Sequence, residues 1–249
     1  MKKDEANSRM QADSSVATDS MHGIALACRP KLVIFDCDGV LIQSEEITLS
    51  VFADLVNHLL RERHDTQRLS PLMAVHRYRG RRIRECLEDV AALFELLVPP
   101  DFEAQLRSES LRRYDTDLIA TPGVASLLSQ LTIPHCVATS APLEKVKHCL
   151  SIMGLDGYFE HIFSCYEIKS WKPDPAIFQA ACAHFQIAPG DALVIEDSVP
   201  GVMAAKAANI PVLGFAPQSR HAELLSCGAT PFSSMSHLSE ILFSFKGME

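Results

Sequence analysis

Short apolar runs punctuate the chain. They are KLVIFD at Lys31–Asp36, HCVAT at His135–Thr139, ALVI at Ala192–Ile195 and PVLGF at Pro211–Phe215, with a weaker HIFS at His161–Ser164. β-Branched and aromatic residues recur in them, and polar residues do not alternate with them. That pattern predicts strands buried on both faces, as in a parallel sheet. Between them lie amphipathic helical patterns at Leu143–Met153, Ala176–Phe185 and Val202–Ala208. Buried strands alternating with such helices predict an α/β fold.

The stretch from Ile47 to Leu118 differs. Helical patterns fill Ile47–Leu60, Ile83–Leu97 and Phe102–Tyr114, broken at Ser70-Pro71 and Pro99-Pro100, and no strand pattern interrupts them. The expected organisation is a core domain over residues 30–46 and 119–249, with an all-helical cap domain over 47–118 inserted after the first strand. The cap is expected over the C-terminal edge of the sheet, with Thr121-Pro122-Gly123 marking the return to the core. Residues 1–29 are polar and aperiodic, which predicts a disordered tail.

Composition narrows the function. The 249 residues carry 23 basic and 31 acidic side chains, a formal charge of −8. That balance gives no global attraction to nucleic acid or acidic lipid. No apolar run is long enough to span a membrane, and the N-terminal segment has no signal-peptide pattern, so the expected compartment is the cytoplasm. The eight cysteines are scattered without CxxC pairs or zinc-type spacing, which predicts buried free thiols.

The chemistry concentrates at strand ends. Asp36-Cys37-Asp38-Gly39 follows the first run, and Glu196-Asp197-Ser198 follows ALVI. In open parallel sheets, ligands bind beyond the carboxyl ends of the strands. Each acidic pair also fits an ordinary strand-ending turn or helix cap. Together they bring several carboxylates into one place. Like charges about 4 Å apart repel by about 4 kcal/mol at an effective dielectric of 20. A hard divalent cation such as Mg²⁺ would compensate. Thr139-Ser140 ends the second run before a helix start, which suits an anion as well as a plain N-cap. Lys172, held between Trp171 and Pro173-Asp174-Pro175, reads equally as a solvated loop lysine or as a partner for Asp36 or a phosphoryl oxygen.

The ordered set DCDGVL, TS, SWKPDPAIF and VIEDSVPGVMAAKAA resembles the haloacid dehalogenase-like hydrolase superfamily from residue 31 to about 216. The helical insertion resembles the small cap of its β-phosphoglucomutase-like phosphatases. CYEIKSWKPDPAIF and VIEDSVPGV are similar to the bacterial phosphatases of 6-phosphogluconate. The resemblance implies a Rossmann-like core and an Mg²⁺-dependent phosphatase acting on a small phosphorylated metabolite. It implies Asp36 as nucleophile and Asp38 as general acid and base. It implies Asp36, the Asp38 backbone carbonyl and Asp197 as metal ligands, with Glu196 beside or among them. Thr139, Ser140 and Lys172 are implied to hold the phosphoryl group. It also implies that the pKa of Asp38 is raised when substrate is bound.

The resemblance also implies that the cap selects the leaving group. Arg77, Arg79, Arg81, Arg82 and Arg84 crowd a short segment around Gly80. Either they form a solvated face paired with Glu85, Glu88 and Asp89, or some face an anionic substrate, Arg79 and Arg82 being the candidates. His161, His184 and His221 read as isolated histidines with no ligand role. Other readings are a β-phosphoglucomutase-like isomerase, a 2-haloacid dehalogenase and a catalytically silent binding protein. Thr48 stands where the mutases carry a histidine, and Asp38 argues against the dehalogenases. The expected quaternary state is a monomer or homodimer.

Overall fold

The structure is a computed structural model and describes residues 29–244. The expected tail lies, apart from Arg29, outside the described residues. Six strands form one parallel sheet: β1 (Leu32–Phe35), β2 (His135–Thr139), β3 (Ile162–Ser164), β4 (Ala192–Glu196), β5 (Val212–Phe215) and β6 (Thr230–Phe232). Their spatial order is β3-β2-β1-β4-β5-β6. The α/β fold read from the apolar runs, with the Rossmann-like core that the resemblance implies, is thus the observed one. Strand β6 is the addition. It has three residues, one of them Pro231, and proline is tolerated on an edge strand.

Alternate residues of β1 serve opposite faces, as strand geometry requires. Val33 and Phe35 join one apolar layer with helices α5 (Val124–Gln130), α6 (Leu143–Ile152) and α11 (Met235–Phe243). Leu32 and Ile34 join the other, with α8 (Ala176–Phe185), α9 (Val199–Ala207) and α10 (His221–Ser226). The short α7 (Cys165–Ile168) follows β3. β1 is therefore covered on both sides, which explains its unbroken apolar run. The chain moves outward from β1 through β2 to β3, then returns to β4 on the other flank of β1. The reversal opens a crevice at the carboxyl ends of β1 and β4.

Four helices lie between β1 and α5: α1 (Glu45–Glu62), α2 (Pro71–Tyr78), α3 (Ile83–Phe94) and α4 (Phe102–Asp117). They share a hydrophobic cluster of their own, in which Phe52 meets Tyr78 and Phe102 edge-on at centroid distances of 5.5 and 5.7 Å. Ser70-Pro71 is a helix start. Ser70 caps α2 by accepting from the Met73 N–H, and Pro71 takes the first turn, where its missing N–H costs nothing.

Among the described residues the cysteines are free thiols, and all but Cys227 are buried. No described helix is long and apolar enough to cross a membrane. His161 and His184 are not isolated; their Nε2 atoms lie 3.3 Å apart beside Phe185.

Candidate active site

The sheet register builds the centre of the site. Phe35 pairs with Ile195, so the next residues, Asp36 and Glu196, stand side by side at the carboxyl end of the sheet. The Asp36 N–H still donates to the Ile195 carbonyl at 2.9 Å. Asp36, Glu196 and Asp197 bring carboxylate oxygens within 4.8 Å of one another. Lys172 enters from the loop before α8. Its ammonium lies 2.6 Å from Asp36 Oδ1 and 2.6 Å from Glu196 Oε1, and donates to the Ala138 carbonyl at 3.0 Å. Lys172, Asp36 and Glu196 are 6%, 7% and 1% exposed, so these charges are answered by one another more than by water.

Glu196 fixes its surroundings through its other oxygen. Oε2 accepts from the Asp197 N–H at 2.9 Å, the Ser198 N–H at 3.0 Å and the Ser198 hydroxyl at 2.9 Å. Ser198 in turn caps α9 by accepting from the Gly201 N–H at 3.1 Å. Two glycines make room. A Cβ on Gly39 would lie 2.2 Å from Asp197 Oδ2, and its φ of +87° suits only glycine well. A Cβ on Gly201 would lie 1.8 Å from Glu196 Oε1.

Burial raises Asp36 to about 7, with Glu196 and Asp38 adding to it and Lys172 opposing. Asp197 is likewise raised well above the ordinary range, by burial first and then by Glu196 and Asp36. These acids resist losing their protons together. A hard cation, favouring oxygen donors, matches that crowding.

Asp38 is held differently. Its Oδ1 accepts from Lys145 at 2.7 Å and from the Ser44 hydroxyl. Burial works to raise its pKa, but Lys145, Ser44 and the more distant Lys172 together hold it below the ordinary carboxylate range. The raised value expected with substrate bound is therefore not the resting condition of this carboxyl.

A family profile for haloacid dehalogenase-like hydrolases matches residues 30–209. The chain belongs to that family. It is 28% identical over 215 residues to 6-phosphogluconate phosphatase of Escherichia coli, covering 86% of this chain and 95% of that one. It is 30% identical to a phosphorylated carbohydrates phosphatase of Thermotoga maritima, covering 72% and 81%. The crystal structure of a candidate β-phosphoglucomutase from Thermotoga maritima superposes with a TM-score of 0.70 at 26% identity, covering 88% and 99%. The phosphatase names of the first two agree with the expected phosphoric monoester hydrolase.

In this hydrolase the remaining sequence candidates separate into two groups. Thr139 is fully buried and accepts from the Ala141 N–H at 3.0 Å, while Ser140 stands exposed at the start of the following loop. Arg82 crosses from the helical segment to within 3.4 Å of the Lys172 carbonyl. Arg79 lines the cleft beside Asp197 but is paired to Glu45 and Glu46. Arg77, Arg81 and Arg84 pair with Asp89, Glu85 and Glu88, as a solvated face would.

Lys145 and Ser44 are absent from the strand-end motifs. A signal exists for Lys145. It shares a face of α6 with the buried Cys149, four residues on, and a lysine at an apolar helical position asks for a partner.

Proposed function

We propose that this hydrolase is an Mg²⁺-dependent phosphatase of small phosphorylated carbohydrates, sugar phosphates or sugar-acid phosphates such as 6-phosphogluconate. The observation that carries the reading is the Lys172 ammonium lodged between Asp36 and Glu196, with Asp197 beside them. The names of the two phosphatase relatives support the substrate class.

Asp36 attacks phosphorus through a carboxylate oxygen, and the bond to the leaving alcohol breaks. Asp38, protonated once substrate is bound, gives that oxygen its proton. It then takes a proton from the water that attacks the aspartyl-phosphate, releasing inorganic phosphate and restoring Asp36. Lys172 faces the transferring oxygens with Thr139 and Ser140, so charge is met by groups already in place. Asp36, the Asp38 backbone carbonyl and Asp197 would hold Mg²⁺, which when bound supplies the charge to offset dianion against carboxylate. Both Glu196 oxygens are already engaged, so Glu196 acts by holding Lys172 and the Asp197-Ser198 turn. Helices α1 to α4 act as the cap, and Arg82 is its contact with the reaction centre. The chain acts as a monomer or homodimer.

Thr48 favours hydrolysis over isomerisation. Its hydroxyl bonds to Tyr114 and the Ser44 carbonyl and offers Asp38 no titratable partner. A phosphate-release screen of phosphorylated metabolites with Mg²⁺ is expected to find sugar-phosphate hydrolysis. Asp36→Asn should abolish it. Full turnover in that variant, activity retained in EDTA, or interconversion of sugar phosphates without free phosphate would overturn the reading.

A further inference from the structure

A small cleft adjoins the reaction centre. It begins at Asp197 and Gly39 and is lined by Glu45, Glu46 and Arg79 from the helical segment and by Phe215, Pro217 and Arg220 after β5. The cleft is contiguous with Asp197 and so is open to the non-reacting end of a substrate whose phosphoryl group sits at Asp36. Arg220 belongs to none of the strand-end motifs. It sits in the turn after β5, at the carboxyl edge of the sheet where ligand-binding loops gather.

The two arginines of the cleft are not equivalent. Arg79 is answered by Glu45 and Glu46, and Glu45 is further tied to the Gly80 N–H at 2.5 Å. Arg220 gives one hydrogen bond, from Nε to Glu223 at 2.9 Å, and acts on Glu45 and Asp197 of the same cleft through its charge alone. Among the described residues its two terminal nitrogens have no hydrogen-bond acceptor. The turn that carries it is pinned, because the neighbouring His221 ring bonds the Ala216 carbonyl at 3.1 Å and Ser233 Oγ at 2.8 Å. A rigidly carried guanidinium with open donors in a cleft suits a planar anion.

We infer that Arg220 is the receptor for an anionic group at the non-reacting end of the substrate, and that this hydrolase prefers phosphorylated sugars bearing a carboxylate there. The inference rests on the phosphatase reading above. It adds a residue of the core to the specificity otherwise sought in the cap.

The test is steady-state kinetics of the full chain with Mg²⁺ on 6-phosphogluconate, glucose 6-phosphate and glucose 1,6-bisphosphate. The wild type is expected to favour 6-phosphogluconate over glucose 6-phosphate. Arg220→Met should lower that kcat/KM ratio by about tenfold or more, chiefly through KM. Arg220→Lys keeps the charge without the planar fork and should fall between, which also serves if the methionine variant does not fold. An advantage for the bisphosphate equal to that for the carboxylate would overturn the choice of carboxylate. A ratio that moves less than twofold in both variants, or a wild type with no preference, would overturn the inference while leaving the phosphatase reading standing. Failure to release phosphate from any of the three and from p-nitrophenyl phosphate would overturn both.

Discussion

The Lys145 ammonium lies 2.7 Å from Asp38 Oδ1. The lysine comes from the first turn of α6, and the aspartate from the turn after β1. The contact holds in its ionised form the side chain proposed to deliver a proton. Lys145 is itself pushed above its ordinary range, because Asp38 and Tyr114 outweigh the effect of its burial. Both shifts favour the charged pair.

Removing the lysine should therefore change how Asp38 titrates. In Lys145→Met the carboxyl loses its chief cation and its pKa rises. The alkaline limb of kcat, which reports loss of the protonated acid, should move to higher pH. Turnover at neutral pH should also fall, by about tenfold or more, because an unpartnered carboxyl is no longer aimed. A pH–rate profile with the wild-type limbs would show that Lys145 does not govern Asp38.

Gly201 offers a cleaner steric test. Replacing a helical glycine with alanine at a compatible site ordinarily stabilises a protein by about 0.4–1 kcal/mol. Here the new methyl would fall 1.8 Å from Glu196 Oε1, so the carboxylate has to move. Moving it breaks the 2.6 Å bridge to Lys172 and the three donors on its other oxygen. Overpacking costs about 1–3 kcal/mol, so the steric loss wins. Gly201→Ala should lower Tm by several degrees and turnover by more than the folded fraction explains. An unchanged or higher Tm would mean that Glu196 is not confined as described.

The same residues show what could be read in advance. β1 and β4 were legible because both faces of each strand are buried, leaving unbroken runs of Leu, Val and Ile. Asp36 and Glu196 were legible because they directly follow those runs. β6 was not, since Thr230-Pro231-Phe232 is too short for a period and carries a proline. Lys145 was legible only as a lysine at an apolar helical position that needs a partner, and Arg220 not at all, because their roles depend on where α6 and the turn after β5 land in space. Nothing near Arg220 in the chain signals that Asp197 and Gly39 share its cleft. The arginines around Gly80 divide for a related reason. Charge spacing along α3 pairs Arg81 with Glu85 and Arg84 with Glu88, whereas the reach of Arg82 to the Lys172 carbonyl is purely tertiary.

The acidic cluster links stability to pH and metal. Burial raises Asp36 from 3.8 to about 7, and Asp197 is raised as well. A carboxyl with a folded-state pKa above its unfolded one holds its proton more tightly in the folded chain, so protonation favours folding. For Asp36 that stabilisation is complete below about 4 and is lost as pH rises through about 7. The metal-free chain should therefore lose Tm between pH 5 and pH 8. Magnesium binds the deprotonated carboxylates and should restore it. At one hundred times its Kd a ligand adds about 2.7 kcal/mol, which is about 5–10 °C for a domain of this size. Differential scanning fluorimetry with EDTA or excess Mg²⁺ should show a large metal shift at pH 8 and a small one at pH 5, and Asp197→Asn should reduce the difference. Equal shifts at both pH values, or a metal-free Tm that does not fall with rising pH, would mean that these carboxylates do not share one cation.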